Sequence, residues 1–126
     1  MGNVREGRKS RSFRDLDVWN ISVDIAKDIY QLSSRFPSHE LYELTNQLRR
    51  AAVSIPSNIA EGQSRNSPKE FKHFLSIALG SLGELETQLI IANKIDYLNH
   101  KELEKWISRF DIIRKMLKAL SSKIKF

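Results

Sequence analysis

Few residues in this chain could carry out chemistry, and their spacing limits what that chemistry could be. Glu70 and His73 stand three apart, the spacing at which a helix offers a carboxylate and an imidazole to one metal ion. A di-iron helical bundle needs two such pairs and a glutamate from each remaining helix. The chain holds only three histidines; His39 follows Phe36 and His100 follows Tyr97 at that spacing, so neither makes a second pair, and no metal site is expected. Glu84 and Glu86 are two apart, which on a helix turns them about 200° from each other, so they cannot be a paired acid and base on one face. Ion pairing is the role expected of them. With no cysteine there is no thiol nucleophile, disulfide framework or zinc-finger spacing, and no Gly-x-x-x-x-Gly-Lys-Ser/Thr loop can cradle a phosphate. The chain reads as a non-enzyme without catalytic residues or cofactors.

Positive charge is the remaining candidate for function. The net charge of +6 is unevenly distributed: residues 1–14 carry five basic groups against one acidic, residues 15–100 eight against eleven, and residues 101–126 eight against three. The candidate nucleic-acid contacts are therefore Arg8, Lys9, Arg11 and Arg14 at one end and Arg114, Lys115, Lys118, Lys123 and Lys125 at the other. A basic end recruits phosphate by counterion release, without regard to sequence and with strong salt dependence. It equally serves as a solubilising tail or as a complement to a helix dipole. Phe13 and Phe126 are the only interleaved aromatics that could stack on a base, so any RNA or DNA contact should be dominated by phosphate.

The absence of cysteine fits a cytoplasmic protein. No apolar run approaches the roughly 20 residues that span a bilayer, and the polar, basic start lacks the apolar stretch of a signal peptide. Met1-Gly2-Asn3 superficially suggests myristoylation, but Glu6 stands where that motif wants serine or threonine. No membrane contact is expected.

A chain of 126 residues suits one domain. Residues 1–12 are polar and basic without apolar periodicity and predict a disordered tail; residues 13–126 predict the folded domain. Val18, Ile21, Ile25, Ile29, Leu32 and Phe36 recur at helical spacing, with Asp15 or Asp17 as cap and Pro37 as stop. A second helix is expected from about Ser38–Leu41 to Glu61, with Leu44, Leu48, Ala51, Ala52, Ile55 and Ile59 inward. Pro56 lies inside it, predicting a kink or break at a cost of about 3 kcal/mol, with Asn58 bonding a freed carbonyl. Gly62 suits a left-handed cap. Ser67-Pro68-Lys69-Glu70 predicts a capping box that opens a third helix, and Asn99 with Glu102, flanked by Leu98 and Leu103, predicts another opening a fourth. The fold class is all-α: an antiparallel up-down-up-down four-helix bundle.

Two helices carry a second apolar face. On the second helix Tyr42, Val53, Pro56 and Ala60 lie roughly opposite the core stripe, with Arg49 and Arg50 off it. On the third, Leu79, Gly80, Gly83, Thr87 and Ile90 lie well away from the Phe71/Ala78/Leu85/Leu89 stripe. A helix-interior glycine costs about 1 kcal/mol relative to alanine, so Gly80 and Gly83 call for a packing reason. Self-association through these faces, with Tyr42, Arg49, Val53, Pro56, Ala60, Leu79, Gly80, Gly83, Thr87 and Ile90 as interface, is one account; glycines that ease packing within the chain are the other. An arginine paired with Glu84, within or between subunits, fits either.

Three stretches resemble the four-helix proteins encoded in 23S rRNA intervening sequences, also called the S23 ribosomal protein family. They are Phe13-x-Asp15-Leu16-x-Val18-Trp19; Phe36-Pro37 through Gln47-Leu48-Arg49-Arg50-Ala51-Ala52-x-Ser54-Ile55-Pro56-x-Asn58-Ile59-Ala60-Glu61-Gly62; and Lys69-Glu70-Phe71 through Gly80-Ser81-x-x-Glu84-Leu85-x-Thr87-x-Leu89 to Tyr97-Leu98. Glu43 departs from the pattern, in which glycine commonly follows the Tyr42 position. The resemblance implies a four-helix bundle assembled as a homopentameric ring without known catalytic activity. It also implies kinship with accessory variability proteins of diversity-generating retroelements, which bind a reverse transcriptase and nucleic acid. Two functions follow as expectations: an oligomeric accessory protein that binds RNA or DNA, or an assembly module that grips a protein such as a reverse transcriptase.

Overall fold

The computed structural model describes residues 12–126, and every regular element among them is helical. A short 3-10 turn, Phe13–Asp15, leads into α1, Asp17–Ser33; a second 3-10 turn, Ser38–Glu40, precedes α2, Leu44–Ser64; α3 spans Pro68–Lys94 and α4 His100–Lys123. The expectation of a disordered tail over residues 1–12 lies, but for Ser12, outside the described residues.

The spacing of apolar residues accounts for the core. Ile25 and Ile29 from α1, Leu48, Ile55 and Ile59 from α2, Leu75, Leu82, Leu85 and Leu89 from α3, and Phe110, Ile113 and Leu117 from α4 are all fully buried. Each set follows steps of three, four or seven residues, so each helix presents one stripe to a common interior. Two buried hydroxyls are satisfied within α1, Ser22 on the Val18 carbonyl and Ser33 on the Ile29 carbonyl, both at 2.7 Å.

Local signals decide where the helices begin. Ser67 accepts a bond from the Glu70 amide and Pro68 fills the first turn of α3, where its missing N–H costs nothing. The expected box is half formed there, because the Glu70 carboxylate pairs with Arg65 at 3.2 Å instead of reaching back. At α4 the box is complete: Asn99 accepts from the Glu102 amide at 2.8 Å and Glu102 from the Asn99 amide at 3.1 Å. Leu98 and Leu103 are both buried beside it. At α1, Leu16 holds the cap position without a side-chain bond, so neither Asp15 nor Asp17 takes that place.

Several expectations about α2 are corrected. It starts at Leu44, because Glu43, at φ −121° and ψ −106°, is not helical and the 3-10 turn at Ser38–Glu40 is a separate element. It continues without a break past Pro56 to Ser64. Asn58 donates to the Ser54 carbonyl and hydroxyl at 2.8 and 2.9 Å, not to the Ala52 carbonyl that Pro56 leaves without its usual donor. Pro56 itself is buried within the chain and is not on the outer face. It sits about a quarter-turn from the centre of the core stripe, and the packing of α2 against both α1 and α3 widens the buried arc to include it. Gly62 is not a cap but a buried residue inside the helix. A Cβ there would lie 2.7 Å from the Phe74 Cβ and 3.3 Å from the Phe71 Cα, so α3 passes too close for any side chain. Asn66, at φ 55°, supplies the left-handed residue of the turn.

One expectation about length also changes. The best 18-residue window of α3 has a mean hydropathy of 1.3, apolar enough by composition to cross a membrane. Only 33% of that window is buried inside the chain, so the core stripe leaves much of its apolar character on the surface.

Candidate nucleic-acid and assembly surfaces

The start of α1, the α2–α3 turn and the end of α4 meet at one end of the molecule, where Leu16, Gly62, Pro68, Phe71, Leu120 and Lys123 border a shared depression. The last turns of α4 therefore lie beside the point at which the N-terminal residues enter the fold. Arg8, Lys9 and Arg11 lie outside the described residues. Arg14 is exposed, with its guanidinium 5.0 Å from the centre of the Phe13 ring. Phe13 packs edge-on against Trp19 at 5.0 Å and so is not a free stacking platform.

Lys115, Lys118, Lys123 and Lys125 are exposed, and none makes an ion pair or side-chain hydrogen bond among the described residues. Arg114 differs. Its guanidinium holds Glu86 of α3 and Asp111 of α4, each at 2.6 Å, and its side chain is only 29% exposed. Its place among the nucleic-acid contacts is corrected: a bidentate cation committed to two carboxylates has little left for a phosphate. Glu86 takes the ion-pair role expected of it; Glu84 has no partner among the described residues.

The second candidate surface is the outer side of α2 and α3. Tyr42 is 87% exposed and shares a depression with the exposed Val53, and Ile77 and Ile91 of α3 are exposed as well. Gly80 and Gly83 are exposed as well, and a Cβ on either would meet nothing within 4 Å. Packing within the chain therefore supplies no reason for either glycine. Thr87 is exposed and bonds the Gly83 carbonyl at 2.8 Å. Leu79 and Ile90 are corrected inward, since both are half-buried against the core, and Ala60 is half-buried.

The two neighbouring arginines of α2 divide their roles. Arg49 donates to the Ser33 hydroxyl at 2.9 Å and the Tyr30 carbonyl at 3.3 Å, and stacks 4.7 Å from the Tyr30 ring, joining α2 to α1. Arg50 is exposed and has no partner among the described residues. It borders two depressions: one with Tyr30, Leu41, Tyr42 and Val53, the other with Gln47, Glu84 and Gln88. The Gln88 Oε1 is buried without a hydrogen-bond partner. Between these depressions the Ser54 and Ser81 hydroxyls meet at 2.8 Å.

The opposite end of the molecule is tied by contacts that sequence spacing does not reveal. Tyr97, between α3 and α4, donates to Glu40, between α1 and α2, at 2.7 Å, and its ring lies 5.1 Å from that of Phe36. That hydrogen bond lowers the Glu40 carboxyl below its usual range and raises the Tyr97 phenol. Arg35 pairs with Glu102 at 2.9 Å and, with the Asn99 amide, lowers that carboxyl too. Arg109 pairs with Asp28 at 2.8 Å, joining α4 to α1.

The Glu70-x-x-His73 spacing is used differently from a metal pair. Glu70 is drawn to Arg65, and the His73 ring packs on Phe74 at 5.6 Å. Among the described residues, no group of three or more histidine, cysteine, aspartate or glutamate side chains could hold a metal ion.

These features define a four-helix protein with two distinctive surfaces, a cationic end and an outer α2–α3 face. The chain belongs to the 23S rRNA-intervening sequence protein family, whose model matches residues 14–119. Its fold is also that of a crystal structure of a protein of unknown function from the S23 ribosomal protein family of Bacteroides thetaiotaomicron VPI-5482. The two share 24% identity with a TM-score of 0.78, over 84% of this chain and 96% of that one. No curated protein matches the chain.

Proposed function

We propose that this protein is a non-enzymatic, homo-oligomeric accessory protein that binds RNA or DNA through phosphate contacts from its basic termini. The observation that carries the reading is the set of exposed, unpaired lysines at the end of α4, Lys115, Lys118, Lys123 and Lys125, beside the entry of a basic N-terminal segment. Each cation placed on a phosphate releases a condensed counterion, so affinity should fall steeply with salt and depend little on base sequence. Anisotropy of a labelled structured RNA, titrated between low and physiological salt, tests this. A linear fall of log affinity with log salt supports it, and no salt-dependent binding to RNA or DNA refutes it.

The helices run up-down-up-down in this account, which agrees with the meeting of the Phe36–Glu40 and Tyr97 segments at one end and of the α2–α3 turn and the α4 end at the other. A second copy covers the outer α2–α3 face. Three features support that: the exposed apolar surface of α3, two glycines with open space above them, and the unpaired, opposite charges of Arg50 and Glu84. If the patch on α2 meets a different patch on the next copy, the contact is heterologous and makes a ring where the rotation between copies closes, in keeping with a pentamer. Light scattering that returned a monomer mass at micromolar concentration would remove this part of the account.

A further inference from the structure

We propose that the depression at the cationic end seats one unpaired nucleotide, so that the nucleic acid recognised is single-stranded or carries an unpaired loop. The inference rests on the nucleic-acid reading above and narrows its ligand. The depression measures about 440 Å³, within the range of roughly 300–1,000 Å³ that small-ligand sites occupy. Leu16, Phe71, Leu120 and Ile124, each half-buried, form the apolar part of its lining, with Gln63, Asn66 and Ser67 on the α2–α3 side. Lys123 and Lys125 line it too, without partners among the described residues, and no carboxylate among the described residues lines it.

A cationic rim over an apolar floor has a definite chemical complement: an anion attached to a flat, apolar-faced ring. A duplex offers its phosphates and base edges but hides the base faces in the stack, and a surface that read only phosphate would gain nothing from the floor. An unpaired nucleotide offers both parts, with its base on Phe71 and the leucines and its phosphate on the lysines. An acidic peptide side chain would use the lysines alone. Arg14, exposed at the entry of the chain, adds a further cation at this end, which suits a ligand that carries a charge at every repeat.

The test compares one labelled RNA oligonucleotide, free and annealed to its complement, binding the full chain at one salt concentration. A 2-aminopurine substituted within the strand reports whether a base leaves the solvent. The single strand should bind about tenfold tighter than the duplex, with a change in 2-aminopurine emission. Leu120→Asp, in protein whose helical circular dichroism is unchanged, should remove most of that preference, whereas the exposed pair Lys123→Ala/Lys125→Ala should weaken both forms. Equal, salt-dependent binding of strand and duplex would overturn the seat while leaving the general reading intact. A preference that survives Leu120→Asp, or displacement of the strand by a polyglutamate peptide at equal charge, would overturn it too. Binding of neither form overturns both readings together.

Discussion

Arg114 holds Glu86 at 2.6 Å across the α3–α4 contact, so the most enclosed cation of the C-terminal cluster ties two helices together and is not offered to solvent. Arg114→Gln is therefore expected to cost about 1 kcal/mol of stability by urea unfolding, the size of a well-oriented, half-exposed pair. RNA affinity should change less than twofold, whereas Lys118→Gln, at an exposed and unpaired position, should weaken binding and flatten its salt slope by about one contact. The reverse pattern would return Arg114 to the binding surface.

The glycines of α2 and α3 should respond differently to an added side chain. Gly62→Ala places a methyl group 2.7 Å from the Phe74 Cβ, and the overpacking should cost about 1–3 kcal/mol in a urea or thermal melt. A Cβ at Gly83 meets nothing within the chain, so Gly83→Leu should leave the helical content intact while lowering the assembled mass, because the larger side chain fills space required by a neighbouring copy.

The link between Tyr97 and Glu40 predicts a pH window. Glu40 and Glu102 are lowered in the folded chain, the first by the Tyr97 hydroxyl and the second by Arg35. Their stabilisation is therefore complete above the carboxylate values of the unfolded chain and is lost as pH falls through the lower folded values. Tyr97 is raised by the same bond to Glu40; its stabilisation is present below the phenol value of the unfolded chain, about 10, and lost as pH rises through the folded one. Urea midpoints measured against pH should show Tyr97→Phe less stable than the parent across the neutral range, with the gap narrowing at both acid and alkaline ends. No gap at any pH would mean that Tyr97 acts through ring packing alone, which phenylalanine keeps.

What could be read from the sequence was local. Asn99 with Glu102, Ser67 with Glu70 and the core stripes all depend on residues three or four apart, and the helices follow them. Arg109 with Asp28 and Tyr97 with Glu40 are 81 and 57 positions apart, and no spacing rule connects them. Pro56 lies about a quarter-turn from the core stripe, and its burial follows from α2 packing on both α1 and α3, which no wheel of one helix shows. Gly62 after an apolar run suggests a cap, but here it makes room for Phe71 and Phe74 returning on α3. The basic termini were visible as composition, yet only the fold separates the engaged Arg114 from its free neighbours.

Arg50 and Glu84 carry opposite charges, border one depression and have no partners among the described residues. If they pair between copies, Arg50→Glu and Glu84→Arg should each lower the assembled mass, and the double variant should restore it. Failure of the double variant to recover assembly, with both single variants defective, would show that the two charges act independently.

The most direct test of the whole account is the particle mass by light scattering, with and without RNA at physiological salt. The account predicts a closed multiple of the 14.6 kDa chain, five copies for the proposed ring, and a further rise in mass when RNA is added that disappears at high salt. A mass of one chain, unchanged by RNA, would contradict it.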